Sequence, residues 1–306
     1  MRIVSLVPHA TELLFALGAG DDVVGVTHEC DFPPQAAERR QVTRDMLPAG
    51  LSAAEIDVAV RERTQHGEAI YALDVEALRA LEPDLIVTQA LCPVCAVSFD
   101  DVRAVAGTLP SRPRVLALDP RTVQDTLADA VTVADATGRP DRGRALVARS
   151  SARIDRVRRA VHAQRRPSVA GVEWLDPVYL AGHWTPQMIE LAGGREATGR
   201  SRAGEPSQRS TWETVALAHP EVVVVMPCGF DAPGALREAE RHASELGTLG
   251  AQITVAVDAS AYFSRPGPRL IDGLELLAHV LHPAQVPRAP GKALLLSARS
   301  SAAALG

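Results

Sequence analysis

With 306 residues, 46% of them hydrophobic, the chain is long enough for two lobes of ordinary size, each with a packed core. Its net charge of −5 argues against a nucleic-acid partner, and no uninterrupted apolar run reaches the roughly 18 residues that a membrane span needs. The opening stretch MRIVSLVPHATELLFALGAG is broken by Pro8, His9, Thr11 and Glu12, so it reads as a strand, a turn and a helix rather than as an export signal. The expected location is therefore cytoplasmic, where thiols stay reduced.

Taken in chain order, short apolar runs alternate with segments of helical period. RIVSLV leads into ATELLFALGA, and further strands are predicted at 23–27, 84–89, 114–119, 168–174, 221–227 and 253–259. Most of these runs are apolar on both faces, as strands of a parallel sheet covered on both sides must be. Segment 123–166 reads as helical, broken near TGRPDRG, and its second part carries an apolar line at Leu146, Ile154, Val157 and Val161 among many arginines.

The two halves echo each other. ALEPDLIVTQALC and LAHPEVVVVMPCG share the order helix end, proline, acidic residue, apolar strand and cysteine, and RVLALDP echoes ITVAVDA. The expected fold is α/β: two Rossmann-like lobes with mainly parallel central sheets, joined by one long helix, with a ligand cleft between the lobes. The expected division is 1–122, a linking helical segment 123–166, and 167–306. In sheets of this kind ligands sit beyond the carboxyl ends of the strands.

Those strand-end loops carry the unusual residues. HECDFP holds Cys30, LCPVC holds Cys92 and Cys95, and MPCGFD holds Cys228. Thiolates are soft ligands, and four complete the coordination of a zinc ion or an iron–sulfur cluster. A zinc knuckle draws its ligands from compact pairs, whereas these are scattered over three loops. The expectation is therefore an iron–sulfur cluster of the 4Fe-4S type on Cys30, Cys92, Cys95 and Cys228, with zinc, a redox thiol pair and inert packing as the competing readings. His9, His28, Glu29 and Glu173 stand nearby as candidate proton carriers. Trp174 and Trp184 offer flat walls for a planar ligand, or core packing. Asp176 opens an ordinary turn or pairs with Glu173, and Arg265 could clamp an anion before the last helix.

The blocks SLVPHATELLFALG, LEPDLIV, AGHWTPQMIELAGG and RPGPRLIDGLELLAHVLHP resemble the substrate-binding proteins of ABC importers for cobalamin and ferric siderophores. The resemblance runs over nearly the whole chain. It implies two α/β lobes joined by a helix and a corrin, siderophore or similar metal complex as ligand. It also places the loop from Pro8 to Thr11, the loop from Trp174 to Pro177 and the His183–Trp184 turn among the cleft-lining positions. Together these readings lead to the expectation of a cytoplasmic relative of cobalamin-binding proteins that holds a Cys-ligated metal centre, with room for substrate-transforming chemistry. The alternative is a binding protein for cobalamin or another metal chelate serving an ABC-type transporter. Either way the partner is a small molecule or metal complex, and the sequence leaves the oligomeric state open.

Overall fold

The computed structural model describes residues 1–90, 96–287 and 291–296. Cys92 and Cys95 lie outside the described residues. The chain divides into two compact units: Met1–Pro120 with Gln124–Ala148, and Arg121–Val123 with Arg149 onward.

The first unit runs β1 (Ile3–Ser5), α1 (Pro8–Ala16), β2 (Val23–Val26), α2 (Pro34–Ala37), β3 (Arg40–Gln41), β4 (Thr43–Asp45), α3 (Ala53–Gln65), β5 (Tyr71–Leu73), α4 (Val75–Ala80), β6 (Leu85–Gln89), α5 (Phe99–Thr108) and β7 (Arg114–Leu118). Its main sheet has the order β3-β2-β1-β6-β7, every pair parallel. Alternate residues of the central strands serve opposite faces. Ile3, Leu85 and Val87 pack with Leu13 and Leu14 of α1, whereas Val4 and Ile86 pack with Leu78 of α4 and Val102 of α5. Helices on both faces are the reason these strands read as unbroken apolar runs.

The helical segment between the sheets is two helices, α6 (Val123–Ala136) and α7 (Pro140–Val161), and α7 contributes residues to both units. Pro140 opens α7, where its missing N–H costs nothing. Two arginines of its charged run are more than a solvated face: within the second unit, Arg153 and Arg156 donate to Glu275, and Arg153 also to Asp272. None of the described helices is long and apolar enough to cross a membrane.

The second unit continues with β8 (Ser168–Leu175), β9 (Val178–Leu180), α8 (Thr185–Leu191), β10 (Arg195–Glu196), β11 (Gln208–Arg209), α9 (Trp212–Leu217), β12 (Val222–Val225), α10 (Ala232–Arg241), α11 (Ala243–Thr248), β13 (Ile253–Val257), α12 (Ala259–Tyr262), α13 (Leu270–Leu281) and β14 (Ala293–Leu295). The sheet order is β11-β9-β8-β12-β13-β14, with β10 beside β8. Strands β8, β12 and β13 are parallel, and β9, β11 and β14 add antiparallel edges. Buried Val172, Val223 and Val225 meet Val215 of α9 and Ala235 and Ala239 of α10 on one face.

The internal echo has a structural basis. Glu82 and His219 each follow a helix with φ of 41° and 45°, the left-handed termination of a helix end, and each precedes a proline that prevents the helix from resuming. The next residue is acidic for one reason in both units. Asp84 accepts the Arg2 N–H at 2.7 Å, and Glu221 accepts the Ser168 N–H at 3.0 Å. In each case the carboxylate satisfies the chain entering the neighbouring central strand.

Candidate functional site

In the first unit, the carboxyl ends of β1 and β2 bring two loops together. Pro8 occupies the first turn of α1, and His9 and Thr11 are buried behind it. Thr11 Oγ1 donates to Ser5 Oγ at 2.8 Å and stands 3.1 Å from the Cys30 sulfur, which lies equally close to Thr27 Oγ1. Cys30 is 3% exposed. It is a small buried group held between two threonine hydroxyls, the role a strand-end cysteine most often plays. His28, one step nearer solvent, has Nδ1 2.8 Å from Thr43 Oγ1 and its ring 5.5 Å from that of Tyr71. The Tyr71 hydroxyl donates to Glu29 at 3.4 Å.

In the second unit, β8 and β9 form a hairpin whose two-residue tip is Asp176 and Pro177, since Leu175 pairs with Val178. Trp174 closes the tip by donating Nε1–H to the Asp176 carbonyl at 3.1 Å, and it meets Phe230 edge to face with centroids 6.0 Å apart. Glu173 points at the neighbouring turn, where Ser207 Oγ donates to it at 2.7 Å. Burial pushes its carboxyl above the ordinary carboxylate range, against the lowering effect of bonds from Ser207 and the Gly182 N–H.

The Gly182–Trp184 turn is clamped against the segment from Gly204 to Ser207. The His183 N–H donates to the Glu205 carbonyl at 2.6 Å, and the Gly204 N–H to the His183 carbonyl at 2.9 Å. Gly182 is obligatory there, because a Cβ would sit 2.4 Å from the Ser207 nitrogen. Trp184 is buried and donates Nε1–H to the Phe263 carbonyl at 2.7 Å. Phe263 follows α12 at the carboxyl end of β13, so the turn stands beside the loop that carries Arg265. An open cavity of about 760 Å³ lies next to the hairpin tip, lined by Asp176, Pro177, Arg200, Arg209, Trp212 and His242 among others.

Each unit thus gathers its share of the residues singled out from sequence at the carboxyl ends of its parallel strands. Buried are His9, Thr11, Cys30 and Trp184, with Thr11 against Cys30 and Trp184 bonded to Phe263; Glu173 is half-buried and bonded to Ser207. Half-buried or exposed are Pro8, His28, Glu29, Trp174, Asp176, His183 and Cys228. Sequence reasoning missed Ser207, Tyr71 and Gly182. Only Gly182 left a trace, as a glycine between a strand and a helix start; Ser207 and Tyr71 belong to short segments with no periodic pattern.

A family model described as periplasmic binding protein matches residues 3–244. The vitamin B12-binding protein of Vibrio cholerae serotype O1 is 23% identical over 295 residues, spanning 93% of this chain and 90% of that one. Among solved structures, a periplasmic heme-binding protein from Pseudomonas aeruginosa superposes with a TM-score of 0.70 at 19% identity, covering 98% of this chain and 99% of its own. The periplasmic vitamin B12-binding protein of Vibrio cholerae gives 0.65 at 21% identity, with 93% and 97% covered. At these identities the solved structures speak for the two-lobed, mainly parallel α/β fold.

Three expectations are corrected by these findings. The cytoplasmic location gives way, because the matching family and both solved neighbours are periplasmic binding proteins. The iron–sulfur cluster on Cys30, Cys92, Cys95 and Cys228 gives way too. The relatives are named for vitamin B12 and heme, the Cys30 sulfur is enclosed by Thr11 and Thr27, and among the described residues no group of three His, Cys, Asp or Glu side chains is placed to hold a metal. The zinc alternative meets the same objection. With the cluster goes the reading of the chain as a cytoplasmic carrier of a thiolate-bound metal centre, and the matches favour the binding-protein alternative.

Proposed function

Because the chain belongs to the periplasmic binding protein family, whose model matches residues 3–244, we propose that it is the ligand-binding component of an ABC-type transporter and that its ligand is cobalamin. The observation that carries this reading is the similarity to the vitamin B12-binding protein over 93% of the chain. The strand-end loops support it chemically. Trp174 supplies an aromatic wall for the flat face of a corrin, and Arg265 supplies a cation for the acceptor groups at its rim. Pro8, His9, Thr11, Glu173 and Trp184 hold those loops in shape, while Asp176 and His183 face the ligand. The polar groups already committed to one another, such as Glu173 with Ser207 and His28 with Thr43, suit a preformed binding surface.

Heme is the second reading, favoured by the superposition on the heme-binding protein from Pseudomonas aeruginosa. Isothermal titration of the purified chain with cobalamin, hemin and a ferric siderophore tests both. Cobalamin is expected to form a one-to-one complex tighter than about 1 μM. Tight hemin binding without cobalamin binding would move the assignment to heme, and binding of none of the three would end it.

A further inference from the structure

The cavity of about 760 Å³ beside the hairpin tip lies wholly within the second unit and falls in the size range of small-molecule sites. Three stretches far apart in sequence converge on it: the tip from Leu175 to Val178, the segment from Arg209 to Thr214 that leads from β11 into α9, and the junction of α10 and α11 at His242. Register fixes the first two against each other, because Arg209 pairs with Tyr179 and the Ser210 N–H donates to the Val178 carbonyl at 2.8 Å. One wall is aromatic. The Trp212 ring stands 6.1 Å from that of His242, their planes tilted by 37°, and Leu175 and Val178 add apolar surface. The rim is charged. Arg200 and Arg209 both line the cavity and are both exposed, and neither guanidinium has an ion-pair or hydrogen-bond partner among the described residues. Of the two lining carboxylates, Glu245 accepts from Ser244 Oγ at 2.7 Å and stands 3.9 Å from His242 Nδ1, which leaves Asp176 against two uncommitted cations. Ser210 Oγ and His242 Nδ1, on two further lining residues, are buried with no hydrogen-bond partner among the described residues. Buried polar atoms are seldom left so, and two of them in one cavity wall mark a surface that a polar ligand completes.

We infer that this cavity binds a mononucleotide-like group: a heteroaromatic ring joined through a sugar to a phosphate. A flat ring stacks on the Trp212 indole. Arg200 and Arg209 hold the phosphate, since the planar donors of guanidinium match its oxygens. The Asp176 carboxylate accepts from the sugar hydroxyls, a common use of an acid beside a bound nucleotide. A lone anion or a lone ring would use only half of this lining. The group has two sources: a free 5′-mononucleotide, or the benzimidazole nucleotide that hangs from the corrin ring of cobalamin. Only the second source rests on the proposed cobalamin-binding function, and there the cavity is where complete corrinoids are told from truncated ones.

The test titrates wild-type protein, Arg200→Gln and Arg209→Gln with two sets of probes by isothermal calorimetry. The first set is adenosine 5′-monophosphate, adenosine and inorganic phosphate; the second is cobalamin and cobinamide, which lacks the nucleotide. If the source is a free nucleotide, wild type should bind the monophosphate about ten-fold more tightly than adenosine or phosphate, and each substitution should remove most of that advantage. If the source is the corrinoid arm, wild type should prefer cobalamin to cobinamide about ten-fold, and both variants should lose the preference while their cobinamide affinity stays the same. Because both side chains are exposed and unpaired, the variants' thermal midpoints should stay within about 2 °C of wild type. Wild-type protein with neither preference, or preferences that survive both substitutions, would overturn the inference. So would inorganic phosphate bound as tightly as the monophosphate, since the aromatic wall would then be idle. Failure of wild type to bind either corrinoid, while the monophosphate binds through Arg200 and Arg209, defeats the proposed function and leaves the nucleotide site standing. Tight corrinoid binding indifferent to the nucleotide, with no monophosphate binding, does the reverse.

Discussion

Substituting alanine for Gly182 puts the clamp around the His183 turn to a direct test. An ideal Cβ there would lie 2.4 Å from the Ser207 nitrogen, 2.5 Å from the Pro206 carbonyl carbon and 2.6 Å from the Glu205 oxygen. All three are backbone atoms, so no side chain can swing aside, and ordinary contact requires the two segments to part by about 1 Å. Overpacking of this kind costs about 1–3 kcal/mol. The same gap is crossed by the Gly182 N–H bond to Ser207 Oγ at 3.2 Å and by the two His183 backbone bonds, each contributing about 1 kcal/mol. The smaller conformational freedom of alanine in the unfolded chain returns about 0.5–1 kcal/mol. The net loss is about 2–4 kcal/mol, or a fall of about 5–15 °C in midpoint for a unit of this size. Gly171→Ala is the control. Its Cβ would find Ala181 at 3.4 Å and Thr185 at 3.7 Å, normal contact in a buried strand, so it should be neutral or mildly stabilising. Differential scanning calorimetry of both variants is the assay, and a Gly182→Ala midpoint within about 2 °C of wild type would refute the packing argument.

Three further outcomes follow from the charges and the thiol. At Asp129, burial, aided by the charges of Asp125 and Asp119, pushes the carboxyl up to about 7 from an ordinary value of 3.8, and Oδ2 is buried without a hydrogen-bond partner. Between those values the folded chain keeps a proton that the unfolded chain has lost, so stability falls as pH rises. Asp129→Asn should flatten that slope in urea titrations and, allowing for solvent screening of a partly exposed group, stabilise by about 1–2 kcal/mol at pH 8 with no gain near pH 4. At Glu275 burial opposes ionisation, but the bonds from Arg153 and Arg156 outweigh it and hold the carboxyl below its ordinary 4.5. Its contribution is present above that value and lost as pH falls, so Glu275→Gln should cost about 1 kcal/mol at pH 7 and match wild type in strong acid. Cys30→Ser should unfold within about 1 kcal/mol of wild type, whereas Cys30→Val, which deprives the Thr11 and Thr27 hydroxyls of a partner, should cost about 1–3 kcal/mol. Visible colour lost from either variant would restore the metal reading.

The fold was legible because its signals are local and repeated. LIVTQ and VVVV are apolar on both faces, and the structure buries both faces under helices. The Glu-Pro-Asp and His-Pro-Glu triplets could be matched by eye because the same two demands, stopping a helix and satisfying an incoming strand, act within three consecutive residues in each lobe. The edge strands escaped notice for the opposite reason. Strands β10 and β11 have two residues each, and β9 has three, too few for a period of two to register. Their pairing is set by the hairpin at Asp176 and by contacts with β8 that no window of sequence contains.

Position was easier to read than role. Strand-end placement drew attention to His28, Glu173, Cys30 and Cys228, because topology determines which loops lie at a sheet's carboxyl edge. What a side chain does there depends on its neighbours in space. Cys30 looks like a soft metal ligand until Thr11, nineteen positions earlier in the chain, is found against its sulfur. Glu173 looks like a proton carrier until Ser207, thirty-four positions later, is found donating to it. The same limitation hid the most informative feature of the turn. AGHW does not disclose that His183 is left-handed, because the strain is imposed by Gly204 and Glu205. A residue whose conformation is dictated by a distant segment is one whose local structure sequence alone will misjudge.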